Sequence, residues 1–271
     1  MTTDNLHVLN DLNALALEAA ARFTSIGAAA IQRSERFTVA LSGGSTPRAL
    51  YEVLARDHQD FAWDKVEFFW GDERCVPPEH VDSNFGLAQR SLLSRVKVLD
   101  QKVHRMRGED DPRQAAFAYE YELRKVFSSQ LEVEAGSAPT GTALPDHTAK
   151  IVTSGGISLF PSFDLILLGM GADGHTASLF PGTAGLHEAR RWVIANHVEQ
   201  LHVDRLTLTL PVINHAQNII FLIAGVDKAP ALQSVLQGSP EPDRFPAQLV
   251  KPRTTGVNWL IDRTAASLLT A

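Results

Sequence analysis

A short apolar run that stops in a glycine-rich turn constrains the fold of this chain more than any other feature. The run FDLILLG, residues 163–169, is typical of a central strand in a parallel sheet that is buried on both faces. Gly171 and Gly174 then allow a sharp turn and the close approach of a ligand. Because open α/β sheets bind ligands beyond the carboxyl ends of such strands, His175 is a candidate catalytic residue. A structural role as a hydrogen-bonding histidine is the alternative that the turn alone leaves open.

A second apolar strand, FTVAL at residues 37–41, leads into SGGSTP and then into an amphipathic helix. Small residues leave backbone N–H groups accessible, serine and threonine add hydroxyl donors, and proline suits the first position of a helix. The loop therefore predicts an anion cradle, although it matches neither a Walker A loop nor a GxGxxG fingerprint. An ordinary capped turn is the alternative. The residues of the predicted cradle are Ser42, Gly43, Gly44 and Ser45.

A third strand end carries two acids and an arginine. The run VEFFWGDERCVPPE, residues 66–79, is followed by DSNFGLAQRSLL, which predicts a capped helix from about Ser83. Arg74 could clamp a phosphate or carboxylate through its planar fork, with Asp72 or Glu73 orienting that arginine or a sugar hydroxyl. A solvated turn is the alternative. Three strand ends of this kind in one chain favour a shared ligand site.

Strand-like and helical segments alternate along the chain. They predict an α/β fold, a three-layer doubly wound and mostly parallel sheet with helices on both faces. Residues 134–161, rich in Gly, Ala, Ser, Thr and Pro, are expected to form a flexible surface excursion. We interpret WVIANHV, RLTLTL, NIIFLIAG and GVNWLI as strands, and residues 10–32, APALQSVLQ and the closing TAASLL as helices.

Composition narrows the functional classes. With 271 residues and 44% hydrophobic content, the chain can bury one large core, and we expect a single domain over residues 1–271. A net charge of −6 opposes nucleic-acid binding. No apolar run is long enough for a membrane span, and the N-terminus lacks the pattern of a signal peptide. The lone Cys75 fits a reducing compartment, so a cytoplasmic location is expected.

Six motifs together resemble the 6-phosphogluconolactonase family. They run in order from about Leu41 to Asp262 and are SGGSTP, FFWGDERCVP, DSNF, GMGADGHTASLFPG, RLTLTLPVIN and GVDKA. The wider superfamily includes glucosamine-6-phosphate deaminase, which has Ile-Ala-Phe-Asn-Glu-Pro after its histidine and Asp-Glu-Tyr in the earlier loop. This chain has TASLFP and DER at those places. The resemblance therefore falls on the lactonase side.

The resemblance implies hydrolysis of 6-phospho-D-glucono-1,5-lactone to 6-phospho-D-gluconate in the oxidative pentose phosphate pathway. His175 would act as general base and then as acid, and Asp72 would orient the sugar or the histidine. No metal or other cofactor is implied, and neither a nucleic acid nor a membrane is expected as a partner. We expect a monomer or a weak homo-oligomer. The implied phosphate-binding residues are the cradle Ser42, Gly43, Gly44 and Ser45, with Arg74, Arg205 and Lys228.

Two other functions stay open at this point. An aldose–ketose isomerase or deaminase acting on an amino-sugar phosphate would need an acid near the histidine, and GHTASLFPG offers none within the turn. A non-catalytic sugar-phosphate sensor would normally carry a helix-turn-helix, and no basic N-terminal segment indicates one. Lys228 could instead cap a surface helix, and Arg205 could form a surface ion pair. His197 and His202 are interpreted as surface groups.

Overall fold

The computed structural model describes residues 5–128, 151–153, 156–158, 160–252 and 256–270. Its helices are α1 Leu12–Ser34, α2 Ser45–Asp57, α3 Asn84–Ser91, α4 Pro112–Ser128, α5 Leu210–Ile213 and α6 Ala229–Gln237. Its strands are β1 Leu6–Leu9, β2 Phe37–Leu41, β3 Val66–Trp70, β4 Asp72–Arg74, β5 Ile151–Thr153, β6 Gly156–Ser158, β7 Leu165–Leu168, β8 Val193–Val198, β9 Val203–Leu208, β10 Ile219–Ile223 and β11 Val257–Asp262.

Six strands form one parallel sheet in the order β1-β11-β10-β7-β2-β3. Every residue of β2, β7 and β10 is buried, as expected for central strands whose two faces are both covered. The predicted α/β class, with a mostly parallel sheet packed by helices, is confirmed. Strand β1, which pairs with β11 at the edge, was not predicted from the sequence.

The strand order reverses between β2 and β7. From β2 the chain moves outward to β3, and later β7, β10 and β11 extend the sheet on the other side of β2. The loops that leave the carboxyl ends of β2 and β7 diverge at this point and leave a crevice. The fold thus brings the predicted cradle and the histidine turn to one edge of the sheet.

A second, antiparallel sheet in the order β4-β9-β8 stands next to this edge. WVIANHV and RLTLTL are strands as predicted, but they lie outside the parallel sheet. The reason is their connection: a short turn through residues 199–202 joins β8 to β9, and strands joined in this way pair antiparallel. Strand β4 extends the pair and carries the GDER motif into it.

The helix predicted at the C-terminus over TAASLL is wrong. Residues 263–268 form consecutive turns, and the carboxylate of Asp262 accepts hydrogen bonds from the Thr264 hydroxyl at 2.9 Å and the Ala265 N–H at 2.7 Å. This is the hydrogen-bond pattern of a helix N-cap, and the Ala266 N–H donates to the Asp262 carbonyl as in a first helical turn. The N–H groups of Ser267 and Leu269 instead donate to carbonyls three residues back, so the segment continues as turns and not as an α-helix. The predicted excursion over 134–161 lies mostly outside the described residues, and its described part contains the β5–β6 pair.

Helix α1 belongs to the core. The Asp11 side chain accepts a hydrogen bond from the Ala14 N–H and caps its first turn. By length and composition alone α1 could cross a membrane, yet 39% of its most apolar window is buried. Leu15 and Phe23 are fully buried in the hydrophobic core. This helix is therefore packed as part of a folded domain, and the expected absence of a membrane partner stays a prediction.

Candidate active site

One cavity of about 340 Å³ opens at the carboxyl edge of the parallel sheet. The loops after β2, β7 and β10 line it, together with β4, β9 and the first residue of α3. Nine of the site residues proposed from the sequence lie in this lining, and Glu73 does not, so the structure brings together segments that are far apart in the chain. These residues are Ser42, Gly43, Gly44, Ser45, Asp72, Arg74, His175, Arg205 and Lys228. Their individual roles stay predictions.

The cradle after β2 is fixed by a buried tyrosine. The Tyr51 hydroxyl accepts a hydrogen bond from the Ser42 N–H at 3.1 Å and donates one to the Ser42 carbonyl at 2.7 Å. Burial raises the pKa of Tyr51 well above its ordinary value, so the phenol keeps the proton that it donates. Gly44 has φ +103°, which glycine adopts readily, and α2 starts immediately after it. Within the described chain, the buried Ser42 Oγ has no hydrogen-bond partner.

The GDER motif divides its side chains between two tasks because residues alternate across a strand. Asp72 and Arg74 line the cavity, whereas Glu73 is buried outside that lining. Burial raises the pKa of Glu73, although the backbone hydrogen bonds it accepts act in the opposite direction. The hydrogen bonds of Glu73 anchor the start of α3 and include none from the Arg74 side chain among the described residues. Glu73 accepts hydrogen bonds from the backbone N–H groups of Arg74, Asn84 and Phe85 and from the Ser83 hydroxyl.

Helix α3 begins as the sequence predicts. Ser83 is its N-cap residue, and the Ser83 hydroxyl accepts a hydrogen bond from the Gly86 N–H at 3.0 Å. Because the Ser83 hydroxyl also donates to Glu73, the cap and the strand hold each other in place. The start of α3, including Asn84, is thereby fixed against the cavity.

Two arginines face each other across the antiparallel sheet. Arg74 on β4 and Arg205 on β9 are paired in register, and the Nε atom of each is buried without a hydrogen-bond partner within the described chain. Burial first, and then the charge of Arg74, lower the pKa of Arg205. Like charges directly opposite are unfavourable in a sheet, whereas a bound anion would neutralise them. The pair is therefore suited to a phosphate or a carboxylate.

Lys228 approaches the cavity from the loop after β10. Its Nζ lies 3.0 Å from the Asp227 carboxylate, and its side chain lines the cavity. Lys228 also holds the N-cap position of α6, where no side-chain cap bond is formed. Lys228 thus adds a third cationic group to the cavity.

His175 is oriented by an acid that the sequence reasoning missed. Its Nδ1 lies 2.6 Å from Asp173 Oδ1, and its ring stacks on Phe180 with centroids 4.0 Å apart. Burial by itself would raise the pKa of Asp173, but the hydrogen bond and charge of His175 outweigh it and lower that pKa. A Cβ on Gly171 would lie 2.2 Å from His175 Nδ1, so the turn needs glycine there. The sequence did contain an indication of this contact, because an aspartate stands two residues before the histidine.

This contact corrects two expectations. The argument against a deaminase, that no acid stands near the histidine, fails because the turn folds the Asp173 carboxylate back onto the ring. Asp72 was expected to orient either the sugar or the histidine. Among the described residues the carboxylate that hydrogen-bonds the imidazole is that of Asp173. Asp72 instead accepts from the Ser178 hydroxyl at 2.7 Å and from Asn84 Nδ2 at 3.2 Å.

No group of three or more His, Cys, Asp or Glu side chains among the described residues is arranged to hold a metal ion. His197 lies at the surface, with Nδ1 3.0 Å from Asp204 Oδ1. Cys75 is half-buried, and burial raises the pKa of its thiol to about 11. A raised pKa of this size favours the protonated thiol at neutral pH.

Similarity to known proteins agrees with the geometry. The family described as Glucosamine-6-phosphate isomerases/6-phosphogluconolactonase matches residues 10–259. The chain belongs to this family. It is 39% identical to a 6-phosphogluconolactonase of Synechocystis over 241 residues, 89% of this chain and 88% of the relative. It is 32% identical to a probable 6-phosphogluconolactonase of Arabidopsis thaliana, over 97% of this chain and 93% of the relative.

Solved structures share the fold. The 6-phosphogluconolactonase of Trypanosoma cruzi superposes with a TM-score of 0.79 and 26% identity, covering 98% of this chain and 97% of that structure. A monomeric glucosamine-6-phosphate deaminase superposes with a TM-score of 0.73 at 21% identity, over 98% of this chain and 100% of that one, which shows a common fold only. The resemblance found in the sequence is confirmed, and the chain is an enzyme on the lactonase side of the family.

Proposed function

We propose that this chain hydrolyses 6-phospho-D-glucono-1,5-lactone to 6-phospho-D-gluconate in the oxidative pentose phosphate pathway, with His175 as the general base. The observation that carries the proposal is that His175, whose Nδ1 contacts Asp173, lines the same cavity as the cradle and the arginine pair. Nucleic acid is not proposed as a partner. The cytoplasmic location and the monomeric or weakly oligomeric state stay predictions, of which size-exclusion chromatography tests the second.

In the proposed mechanism the imidazole of His175 carries its proton on Nδ1. The ionised Asp173 accepts a hydrogen bond from Nδ1–H, so the lone pair of the imidazole lies on Nε2. Nε2 takes a proton from water as the water oxygen attacks the lactone carbonyl carbon. The bond from that carbon to the ring oxygen then breaks, and the imidazolium returns the proton to the leaving ring oxygen. Asp173 stabilises the imidazolium between these two steps.

The phosphate group of the substrate positions the lactone ring for attack. In the proposal the phosphate is bound by the cradle, by the guanidinium groups of Arg74 and Arg205, and by Lys228. That binding energy holds the lactone in an orientation for attack and so lowers the barrier. Backbone N–H groups of the glycine turn are the candidate donors to the developing oxyanion.

A coupled assay tests the proposal. Glucose-6-phosphate dehydrogenase generates the lactone in place, and the formation of 6-phosphogluconate is followed with and without the protein. We expect a protein-dependent acceleration that survives prolonged treatment with EDTA, because no step of the proposed chemistry uses a metal. A rate equal to spontaneous hydrolysis would refute the lactonase proposal, and loss of activity on chelation, restored by one metal, would refute the metal-free mechanism.

A second candidate function is isomerisation and deamination of an amino-sugar phosphate. The Asp173–His175 contact favours it, since an acid next to the histidine is what that chemistry needs. The same protein incubated with glucosamine 6-phosphate is expected to release no ammonia. Ammonia release, together with lactone hydrolysis no faster than the spontaneous rate, would reverse the order of the two candidates. Binding of either sugar phosphate without turnover would indicate a sensor.

A further inference from the structure

Asn84 joins two parts of the cavity that the proposed mechanism treats separately. It is the first residue of α3, it lines the cavity, and only 1% of it is exposed. Its Nδ2 donates to the Asp72 carbonyl at 2.9 Å and to Asp72 Oδ1 at 3.2 Å. Because both partners are acceptors, they fix the amide with Nδ2 towards Asp72 and Oδ1 away from it.

The other side of the amide packs on the cradle. A Cβ built on Gly43 would lie 1.7 Å from Asn84 Oδ1 and 2.5 Å from its Cγ. The Asn84 amide therefore occupies the space that any side chain at position 43 would need. Asn84 itself is held in place, since its backbone N–H donates to the buried Glu73 at 2.7 Å.

Asp72 depends on this amide for its orientation. Each of its carboxylate oxygens accepts one hydrogen bond: Oδ1 from Asn84 Nδ2, and Oδ2 from the Ser178 hydroxyl in the histidine turn. A carboxylate held by one donor on each oxygen cannot rotate without losing both bonds, and its remaining lone pairs can accept from sugar hydroxyls. Without Asn84, only the bond from Ser178 would remain.

We propose that Asn84 is a positioning residue that holds the Asp72 carboxylate in register with the phosphate cradle. This inference rests on the proposed lactonase function. A phosphate seated in the cradle then places the sugar hydroxyls at a carboxylate whose orientation is already set. The expected signature is a loss in kcat with little change in KM, because misplacement of a positioning group weakens the transition state more than ground-state binding.

The first test compares Asn84→Ala with Asn214→Ala. Asn214 is the control because its Nδ2 also donates to a backbone carbonyl, that of Leu249 at 3.0 Å, and its Oδ1 accepts from the Lys251 N–H at 2.7 Å, yet it does not line the cavity. We expect N84A to lower kcat on the phosphorylated lactone by about 10²-fold, and N214A to leave kcat within about twofold of wild type. Equal kcat for the two variants would overturn the inference.

The second test is a double-mutant cycle with Gly43→Ala. In the presence of Asn84 the new methyl group displaces the amide, so G43A lowers kcat. In the N84A background the amide is gone, so adding G43A is expected to cost at most about threefold more. Such non-additivity is diagnostic of residues that act through each other. Fully additive losses would show that the cradle and Asp72 are independent and would contradict the inference.

The third test is the pH dependence of kcat in Asn84→Asp, which a purely structural role of Asn84 would not change. Aspartate has nearly the same size as asparagine and is equally suited to the start of a helix. Two adjacent carboxylates share one proton, so the pair holds together at low pH and repels once that proton is lost. We expect N84D, unlike wild type, to lose kcat as the pH rises. A pH profile with the wild-type shape would overturn the inference. Wild-type protein without lactonase activity would overturn the proposed function and this inference with it.

Discussion

At the scale of single residues, the cavity contains a histidine whose ring is held on two sides, by the carboxylate of Asp173 and by the face of Phe180. We predict that His175→Ala lowers kcat by about 10²–10⁴-fold, because a general base acts in the transition state. Binding of 6-phosphogluconate, measured by calorimetry, should change little. The measurement is the coupled lactonase assay.

His197→Ala is the matched control for this prediction. His197 also pairs through Nδ1 with an aspartate, Asp204 at 3.0 Å, but it is exposed and outside the cavity lining. H197A should keep the wild-type kcat. If H175A retained comparable turnover, the acid–base role assigned to His175 would have to be abandoned.

Arg74 carries the second prediction at this scale. Arg74→Ala should raise KM for the phosphorylated lactone far more than KM for unphosphorylated glucono-δ-lactone, because it removes a charge-assisted contact to phosphate. The expected cost is about 1.5–3 kcal/mol. Arg48→Ala, which removes an exposed arginine paired with Glu52, is the control and should affect neither substrate. Equal changes on both substrates would show that Arg74 does not recognise the phosphate.

At the scale of elements, Glu120 ties α4 to the start of β8. It is 5% exposed, so its charge is compensated almost entirely by protein groups. Burial by itself would raise the pKa of Glu120, but the hydrogen bonds from Arg191 and Arg124 outweigh it and lower that pKa. The Glu120 carboxylate accepts from Arg124 Nη2, Arg191 Nε and the N–H groups of Trp192 and Val193.

The pH dependence follows from the direction of that shift. A carboxyl with a lowered folded-state pKa stabilises the fold at pH values above its unfolded pKa, about 4.3, and the stabilisation is lost as the pH falls through the folded value. Glu120→Gln should therefore lower the free energy of unfolding at pH 7 by about 1.5–3 kcal/mol, the range for hydrogen bonds to a charged group. The difference from wild type should shrink towards pH 3. Urea titrations at both pH values measure it.

Glu52→Gln is the control for the α4 prediction. Glu52 forms an exposed i,i+4 pair with Arg48, and such pairs contribute about 0.3–0.5 kcal/mol. A destabilisation by E120Q that is as small as that of E52Q, or that does not depend on pH, would contradict the role of Glu120 as the tie between α4 and β8.

At the scale of the whole molecule, ligand binding should connect the two sheets. The cavity is lined by loops of the parallel sheet and by the Arg74–Arg205 pair of the antiparallel sheet, so an anion in it bridges both. At 100 times its Kd, 6-phosphogluconate should stabilise the fold by about 2.7 kcal/mol. For a chain of this size that predicts an increase in Tm of about 5 °C or more. Differential scanning calorimetry measures it.

Gluconate at the same ionic strength is the ligand control, and Arg205→Ala is the variant control. Gluconate lacks the phosphate, so its shift should be small, and R205A should reduce the shift given by 6-phosphogluconate. A shift of equal size in R205A and wild type would mean that the arginine pair does not hold the anion.

Much of this fold and site could be predicted because the signals are local. Apolar runs such as FTVAL and LILL specify buried strands, and Ser83 caps α3 through a residue three positions away. The carboxyl ends of parallel strands meet at one edge, so residues that follow different strands were correctly expected to meet. The Asp173–His175 contact is local too, but it depends on a turn in which Gly174 has φ +78°.

The sequence by itself therefore determined the class of sheet, the segments that line its edge and the residue types available there. Only the tertiary structure decided which of these groups touch. It placed Arg74 opposite Arg205 and joined Asn84 and Ser178 to the two oxygens of Asp72. The physical reason is range: periodicity and capping act over a few residues, whereas register and side-chain hydrogen bonds between distant segments depend on how the whole chain packs.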